Sequence, residues 1–155
     1  MTPPTIGLAE RGDLSALLAL YRHLHARDPV LSADALVGHW DAILANLLLR
    51  YVVARARGEP VSTCALTLVP NLTRAARPYG LIENVVTHPD WRRQGIGTSV
   101  LHYALDLAWE ANCYKVMLLT GRADEPTLRF YERAGFVRGE KTGFVARPGQ
   151  RQRSS

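Results

Sequence analysis

The sequence predicts an α/β (α+β) fold: a mixed, mostly antiparallel central sheet of six to seven strands, with one parallel βαβ pair and four helices. Two observations carry that expectation. β-branched runs bounded by turn residues recur between amphipathic stretches of helical period. One glycine-rich junction, Arg92-Arg93-Gln94-Gly95-Ile96-Gly97-Thr98, joins the β-branched run Asn84-Val85-Val86-Thr87 to an apolar helical run from Val100 to Ala111. A further apolar strand then follows, and a strand–helix–strand crossover of this kind is right-handed and parallel.

Thr5 to Ala9 reads as a short strand. Asp13 is placed to cap a helix in which Leu14, Leu17, Leu18, Tyr21 and Leu24 recur at helical spacing, and Asp28-Pro29 breaks it. Ser32 caps a second helix from Ala33 to Leu47, with Leu36, Trp40, Ile43 and Leu47 on one face. Leu49 to Arg57 turns at Gly58-Glu59-Pro60 and returns through Val61 to Val69 as a hairpin. Asn71 to Tyr79 is a polar loop, and Leu81 to Thr87 a strand ended by His88-Pro89-Asp90. After the helix from Gly95 to Ala111 comes the strand Tyr114 to Thr120. Asp124-Glu125-Pro126 starts a last helix that Gly135 stops, and Phe136 to Arg147 is expected to supply one or two closing strands.

With 155 residues, 47% of them hydrophobic, the chain suits one domain over residues 1–147, followed by a polar, basic and flexible tail at 148–155. The formal charge of +5 falls to +3 without Arg151 and Arg153 in that tail. The remaining excess is modest and lacks interleaved aromatics, which argues against nucleic acid and suits an anionic small ligand. Cys64 and Cys113 are too few and too far apart for a disulfide framework or a metal site, so buried, reduced thiols are expected and no metal. No apolar run approaches the ~18 residues of a membrane span, and no basic-then-apolar segment opens the sequence, so a cytoplasmic protein without a membrane partner is expected.

The glycine junction bears on chemistry. A strand that feeds a glycine loop into a helix leaves the first helical N–H groups unpaired beside the positive end of the dipole, and the two arginines add charge. That is a phosphate site. It is not a Walker loop, because no G-x-x-x-x-G-K-[ST] occurs, and it is a poor dinucleotide fingerprint, because Val100 holds the third glycine position and Met117 to Leu119 offer no acid for a ribose.

Arg92-x-x-Gly95-x-Gly97 resembles the acyl-CoA pyrophosphate loop of the GNAT superfamily of N-acetyltransferases. Phe130-Tyr131-Glu132-x-Ala134-Gly135-Phe136 is similar to that superfamily's Phe-Tyr-x-x-x-Gly-Phe segment, and the order of elements over residues 5–147 resembles its fold. Ile82-Glu83-Asn84-Val85-Val86 and Cys113-Tyr114-Lys115 resemble the glucosamine 6-phosphate N-acetyltransferases within it. Asn84 and Leu119 stand where that branch usually carries acids.

The resemblance implies an acyltransferase that moves an acetyl group from acetyl-CoA to a primary amine of a small molecule, an amino sugar being one candidate. A protein or peptide acceptor is the alternative, and a non-catalytic acyl-CoA-binding module is a third. It also implies a cofactor surface of Val85, Val86, Thr87, Arg92, Arg93, Gln94, Gly95, Ile96, Gly97, Thr98, Thr120 and Tyr131, and a homodimer built through the closing strands.

Acetyl transfer to an amine needs a donor for the oxyanion, a base for the amine proton and a proton for the departing thiolate. The backbone of Val85 or Val86 is the candidate donor, in a strand expected to diverge from its neighbour. Glu83, two residues before Val85 and so expected on the same face, is the candidate base, directly or through water; it could equally be a strand-end carboxylate paired with Arg74 or Arg77. Tyr131 resembles the tyrosine that protonates the CoA sulfur, the alternative being a core tyrosine packed with Leu128 and Ala134. Cys113 opens an apolar strand with no histidine nearby in sequence, which favours direct attack by the amine over a Cys-linked intermediate. His88 reads as a turn residue, beside the cofactor loop and away from the expected acceptor. His23 and His25, with Arg22 and Arg27, either line an acceptor pocket or form a solvated helix end.

Overall fold

The computed structural model describes residues 2–149, in two compact units that divide after Thr120. In the first unit Thr5–Leu8 forms β1, Leu14–Leu24 forms α1 and Ala33–Ala45 forms α2. The apolar spacing of α1 buries Leu17 and Leu20, and Ser32 caps α2 by accepting the Ala35 N–H at 3.2 Å. Trp40 is the buried residue of α2; its Nε1–H donates to the Arg11 carbonyl at 3.2 Å.

Asp13 does not cap α1 as expected. A 3-10 turn at Arg11–Asp13 leads directly into the helix and gives Asp13 helical dihedrals (φ −82°, ψ −10°), whereas an N-cap side chain needs an extended residue to reach back over the first turn. Its carboxylate is buried, accepts the Glu10 N–H at 2.6 Å and pairs with Arg55.

Leu49–Ala56 (β2) and Glu59–Val69 (β3) form an antiparallel hairpin whose two-residue turn is Arg57-Gly58. Both turn residues have positive φ, 53° and 85°, as a hairpin matched to strand twist requires. Pro60 lies in the strand rather than in the turn. Tyr79–Thr87 (β4) pairs antiparallel with β3, and Val116–Leu118 (β5) pairs parallel with β4. The sheet has the order β1-β2-β3-β4-β5, five strands among the described residues.

Alternation assigns the sheet's two faces. Val53 and Val86 pack against Leu17, Leu20 and Trp40 on the α1/α2 side. On the other side Val52, Cys64, Leu66 and Ile82 are buried where Ile96–Glu110 (α4) crosses β2, β3 and β4 with Val100, Leu101 and Ala104.

The loop expected at Asn71 to Tyr79 contains a fifth helical element, the single turn Thr73–Ala76 (α3). Arg74, Ala75 and Ala76 have φ of 57°, 58° and 60°, a left-handed turn that costs about 1–2 kcal/mol per non-glycine residue. Side chains hold it at both ends. Asn71 Nδ2 donates to Thr73 Oγ1 at 2.8 Å and to the Arg77 carbonyl at 3.3 Å, and the Arg77 guanidinium donates to the Asn112 and Cys113 carbonyls at 3.3 and 3.2 Å.

In the second unit Glu125–Arg133 forms α5, with Asp124 as its cap and Pro126 in its first turn. Asp124 accepts from the Thr127 hydroxyl at 2.8 Å and the Thr127 N–H at 3.1 Å, which lowers its carboxyl pKa. Gly135, at φ 102°, stops the helix as expected. The closing strands do not form. Residues 136–149 are turns and irregular chain: Arg138 folds back onto Glu125 and Glu132 of α5, Gly139 turns with φ 80°, and Phe144 is left 91% exposed. The six to seven strands and four helices of the expectation become five strands and five helices among the described residues.

Candidate functional site

β4 is interrupted where the chemistry was expected. Thr63 pairs with Val86 and Ala65 with Glu83, so Cys64 alone faces both Asn84 and Val85: a β-bulge, with Asn84 in the left-handed region at φ 54°. Asn is among the few non-glycine residues that tolerate this region. The bulge corrects the expected geometry. Thr63 and Ala65 lie two apart on one face, so their partners Val86 and Glu83 share that face, and it is Val86, not Val85, that accompanies Glu83. Both belong to the α1/α2 side, and Glu83 is exposed there.

The bulge also sorts the backbone groups. His88 N–H donates to the Val61 carbonyl at 2.8 Å. Antiparallel alternation then directs the Val86 N–H toward β3 and the Val85 N–H toward the opposite edge of β4. That edge is paired to β5 only over Gly80 to Ile82, so the two strands part just before the bulge. Neither Arg74 nor Arg77 pairs with Glu83: Arg74 lies over the Tyr114 ring at 5.7 Å, and Arg77 is tied to backbone carbonyls.

Beyond Thr87 the chain forms a turn at Pro89–Trp91 and then the glycine loop. Arg92 Nε donates to the Thr87 carbonyl at 2.9 Å and Gln94 Nε2 to the Asp90 carbonyl at 3.2 Å, which fixes the loop to the strand end. Arg93 and Gly95 are left-handed, φ 57° and 78°, Gly95 being the N-cap of α4; alternating conformations of this kind gather N–H groups into an anion-binding concavity. No acid stands in the first turn of α4. Ile96 and Gly97 are buried, Thr98 half-buried, and Thr87 Oγ1 bonds the Ser62 hydroxyl at 2.7 Å. Thr120 follows β5 as the last residue of this unit.

His88, expected to be a plain turn residue, has more contacts than that. Its Nδ1 accepts the Asp90 N–H at 3.2 Å, and its ring meets that of His23 edge to face, 5.0 Å between centroids. The last turn of α1 is thereby fixed to the end of β4.

A second feature was missed in the sequence. Tyr79, at the start of β4, and Tyr114, just before β5, lie under cations: Lys115 Nζ is 5.5 Å from the first ring and 5.3 Å from the second, which Arg74 also covers. Only pairing across the parallel strands brings these four together.

Tyr131 belongs to the second unit, on α5, half-buried, with its ring 4.9 Å from that of Phe130 and 6.4 Å from that of Phe136. Both cysteines are free and buried; burial pushes the Cys64 thiol up to about 12 and raises that of Cys113, so neither is an activated nucleophile. Among the described residues no group of three or more His, Cys, Asp or Glu is placed to hold a metal, and no helix is long and apolar enough to cross a membrane.

The model of the acetyltransferase (GNAT) family matches residues 17–136. A glucosamine 6-phosphate N-acetyltransferase of Trypanosoma brucei brucei is 32% identical over 133 residues, 85% of this chain and 88% of that protein. The structure of an Agrobacterium tumefaciens putative acetyltransferase superposes with a TM-score of 0.88 at 49% identity, covering 92% of this chain and 99% of that one. The glucosamine-6-phosphate N-acetyltransferase of Arabidopsis thaliana shares the fold, with a TM-score of 0.82 at 19% identity over 94% of this chain and 98% of its own.

Proposed function

The chain belongs to the GNAT family and is an N-acetyltransferase, and from that premise we propose that it transfers the acetyl group of acetyl-CoA to the primary amine of an amino sugar by direct attack. The bulge at Asn84-Val85 is the observation that carries the mechanism. It lies where β4 and β5 part, one turn from the anion-binding loop, and it gathers an outward N–H and a carboxylate.

The N–H groups and arginines of residues 92–98 hold the pyrophosphate of acetyl-CoA. The Val85 N–H stabilises the developing oxyanion. Glu83, on the exposed α1/α2 side, takes the amine proton, directly or through a water. Tyr131 protonates the departing thiolate; a phenol of pKa about 10 still holds its proton at neutral pH beside a thiol of about 8.5.

Two findings favour an amino sugar carrying an anionic group. The Trypanosoma relative is named for glucosamine 6-phosphate, and the Arg74 and Lys115 cations lie together over the half-buried Tyr114 ring, a cationic pair suited to phosphate. We assign the enzyme to the cytoplasm, consistent with two unpaired thiols, and to a homodimer, consistent with the bare apolar residues Val137, Phe144 and Val145.

The test is release of CoA thiol from acetyl-CoA against amino sugars, with and without the 6-phosphate, polyamines and peptides. Turnover of amino sugars is expected. Acetylation of peptides alone would overturn the acceptor class. Glu83→Gln should depress the rate most at low pH, where the amine is protonated, and less as free amine accumulates; a pH-independent loss would remove Glu83 from the base role.

A further inference from the structure

We infer that His88 orients the acceptor, its Nε2–H donating a hydrogen bond to an oxygen of the amino sugar on the far side of Val86 from Glu83. The inference rests on the proposed acetyl transfer to an amino sugar and adds a residue to it. Position comes first. The bulge places Glu83 and Val86 on one face, alternation places His88 on that face too, and the contact with His23 of α1 agrees. Same-face neighbours along a strand stand about 6–7 Å apart. With Val86 between them the two residues stand two such steps apart, so the carboxylate and the imidazole flank Val86 from opposite sides, and an amino sugar lying along β4 can place its amine at one and a ring or exocyclic oxygen at the other.

The hydrogen bonds then assign the proton. Nδ1 accepts the Asp90 N–H, so its lone pair is occupied and the ring proton resides on Nε2. In this tautomer Nε2 is a donor with no lone pair to offer. His88 is therefore a hydrogen-bond donor, not a second base. Nε2 has no protein partner among the described residues, while the side chain is 38% exposed and so open to a ligand. Edge-to-face packing with His23, at an interplanar angle of 77°, fixes the plane in which that donor lies. His23 is accordingly a positioning residue.

His88→Asn separates this role from a structural one, because Asn still caps the Asp90 N–H but is too short to present the donor. Acceptor affinity is measured as KM, or as Ki for an amine that is not turned over, for glucosamine 6-phosphate and for a linear alkylamine without oxygen. The variant should raise the value for the amino sugar about 5- to 30-fold and leave that for the alkylamine, kcat and acetyl-CoA affinity within about twofold. His23→Ala should weaken the amino sugar selectively, and His23→Phe, which keeps the ring contact, should restore most of the loss. Equal weakening of both amines, or no weakening, overturns the inference while the acetyltransferase reading stands. A wild-type enzyme that acetylates other amines but no amino sugar overturns the inference together with the amino-sugar reading it rests on.

Discussion

Asn84 is the residue on which the site geometry turns, and replacing it with valine tests that directly. A β-branched side chain at φ 54° is strained by about 1–2 kcal/mol relative to glycine, and valine has no side-chain polar group to offset it. If the bulge is kept, unfolding should begin about 2–8 °C lower in a chain of this size. If the strand instead relaxes to regular pairing, the residues beyond position 84 exchange faces, Val86 leaves the face of Glu83, and the Val85 N–H turns toward β3. In that second case turnover should fall by about tenfold or more, because the oxyanion donor is lost. Asn84→Gly takes up the same φ without strain and should keep activity, with a small entropic cost in stability. Calorimetry and CoA-thiol release on the three proteins decide it. A valine variant with unchanged melting temperature and unchanged kcat would refute both the strain and the positional argument.

Tyr131→Phe keeps the ring contacts with Phe130 and Phe136 and removes the proton; kcat should drop about ten- to ten-thousandfold with acetyl-CoA affinity retained, as read by stopped assay and calorimetric titration. Gly97→Val should abolish acetyl-CoA binding in a protein that still unfolds cooperatively, since Gly97 is buried at the start of α4, where on the proposed reading the backbone approaches phosphate. Asp13→Asn leaves Arg55 without its buried partner and should cost about 3–5 kcal/mol in denaturant unfolding. Cys64 has its thiol raised from 9.0 to about 12 by burial, so the unfolded chain ionises first. Its contribution is intact below about pH 9 and declines toward pH 12, and Cys64→Ala should flatten that part of the stability–pH curve.

The glycine loop between strand and helix was legible because its signal is local: Gly95 and the neighbouring arginines sit within seven residues, and the strand and helix on either side announce themselves by period. Helices α2 and α5 were equally readable from Ser32 and Asp124, whose caps form as expected. The bulge was not. Val85-Val86-Thr87 reads as an unbroken β-branched run, and the single hint is an asparagine, which the sequence alone assigns no conformation. Asp13 with Arg55, and Arg74 and Lys115 with the two tyrosines, are long-range encounters that no spacing rule foretells. The closing strands failed for the converse reason. Phe144-Val145 has the composition of a strand, but composition supplies no partner edge, and Arg138 draws the preceding residues back to α5.

The brevity of β5 has a thermodynamic consequence. Three residues zipped to β4 leave the outer edge of that strand without a β5 partner from Glu83 onward, with the Val85 N–H open there and the Thr87 carbonyl covered by Arg92, so the last strand is held by the shortest ladder of the sheet. On the proposed reading, the pantetheine amides of acetyl-CoA supply the missing rungs there, and cofactor binding becomes linked to the global unfolding equilibrium. At a free concentration one hundred times Kd the linkage adds about 2.7 kcal/mol. The Val85 amide proton should then exchange quickly in the free enzyme and slow by about two orders of magnitude on saturation, so the seam itself reports occupancy without any acceptor present.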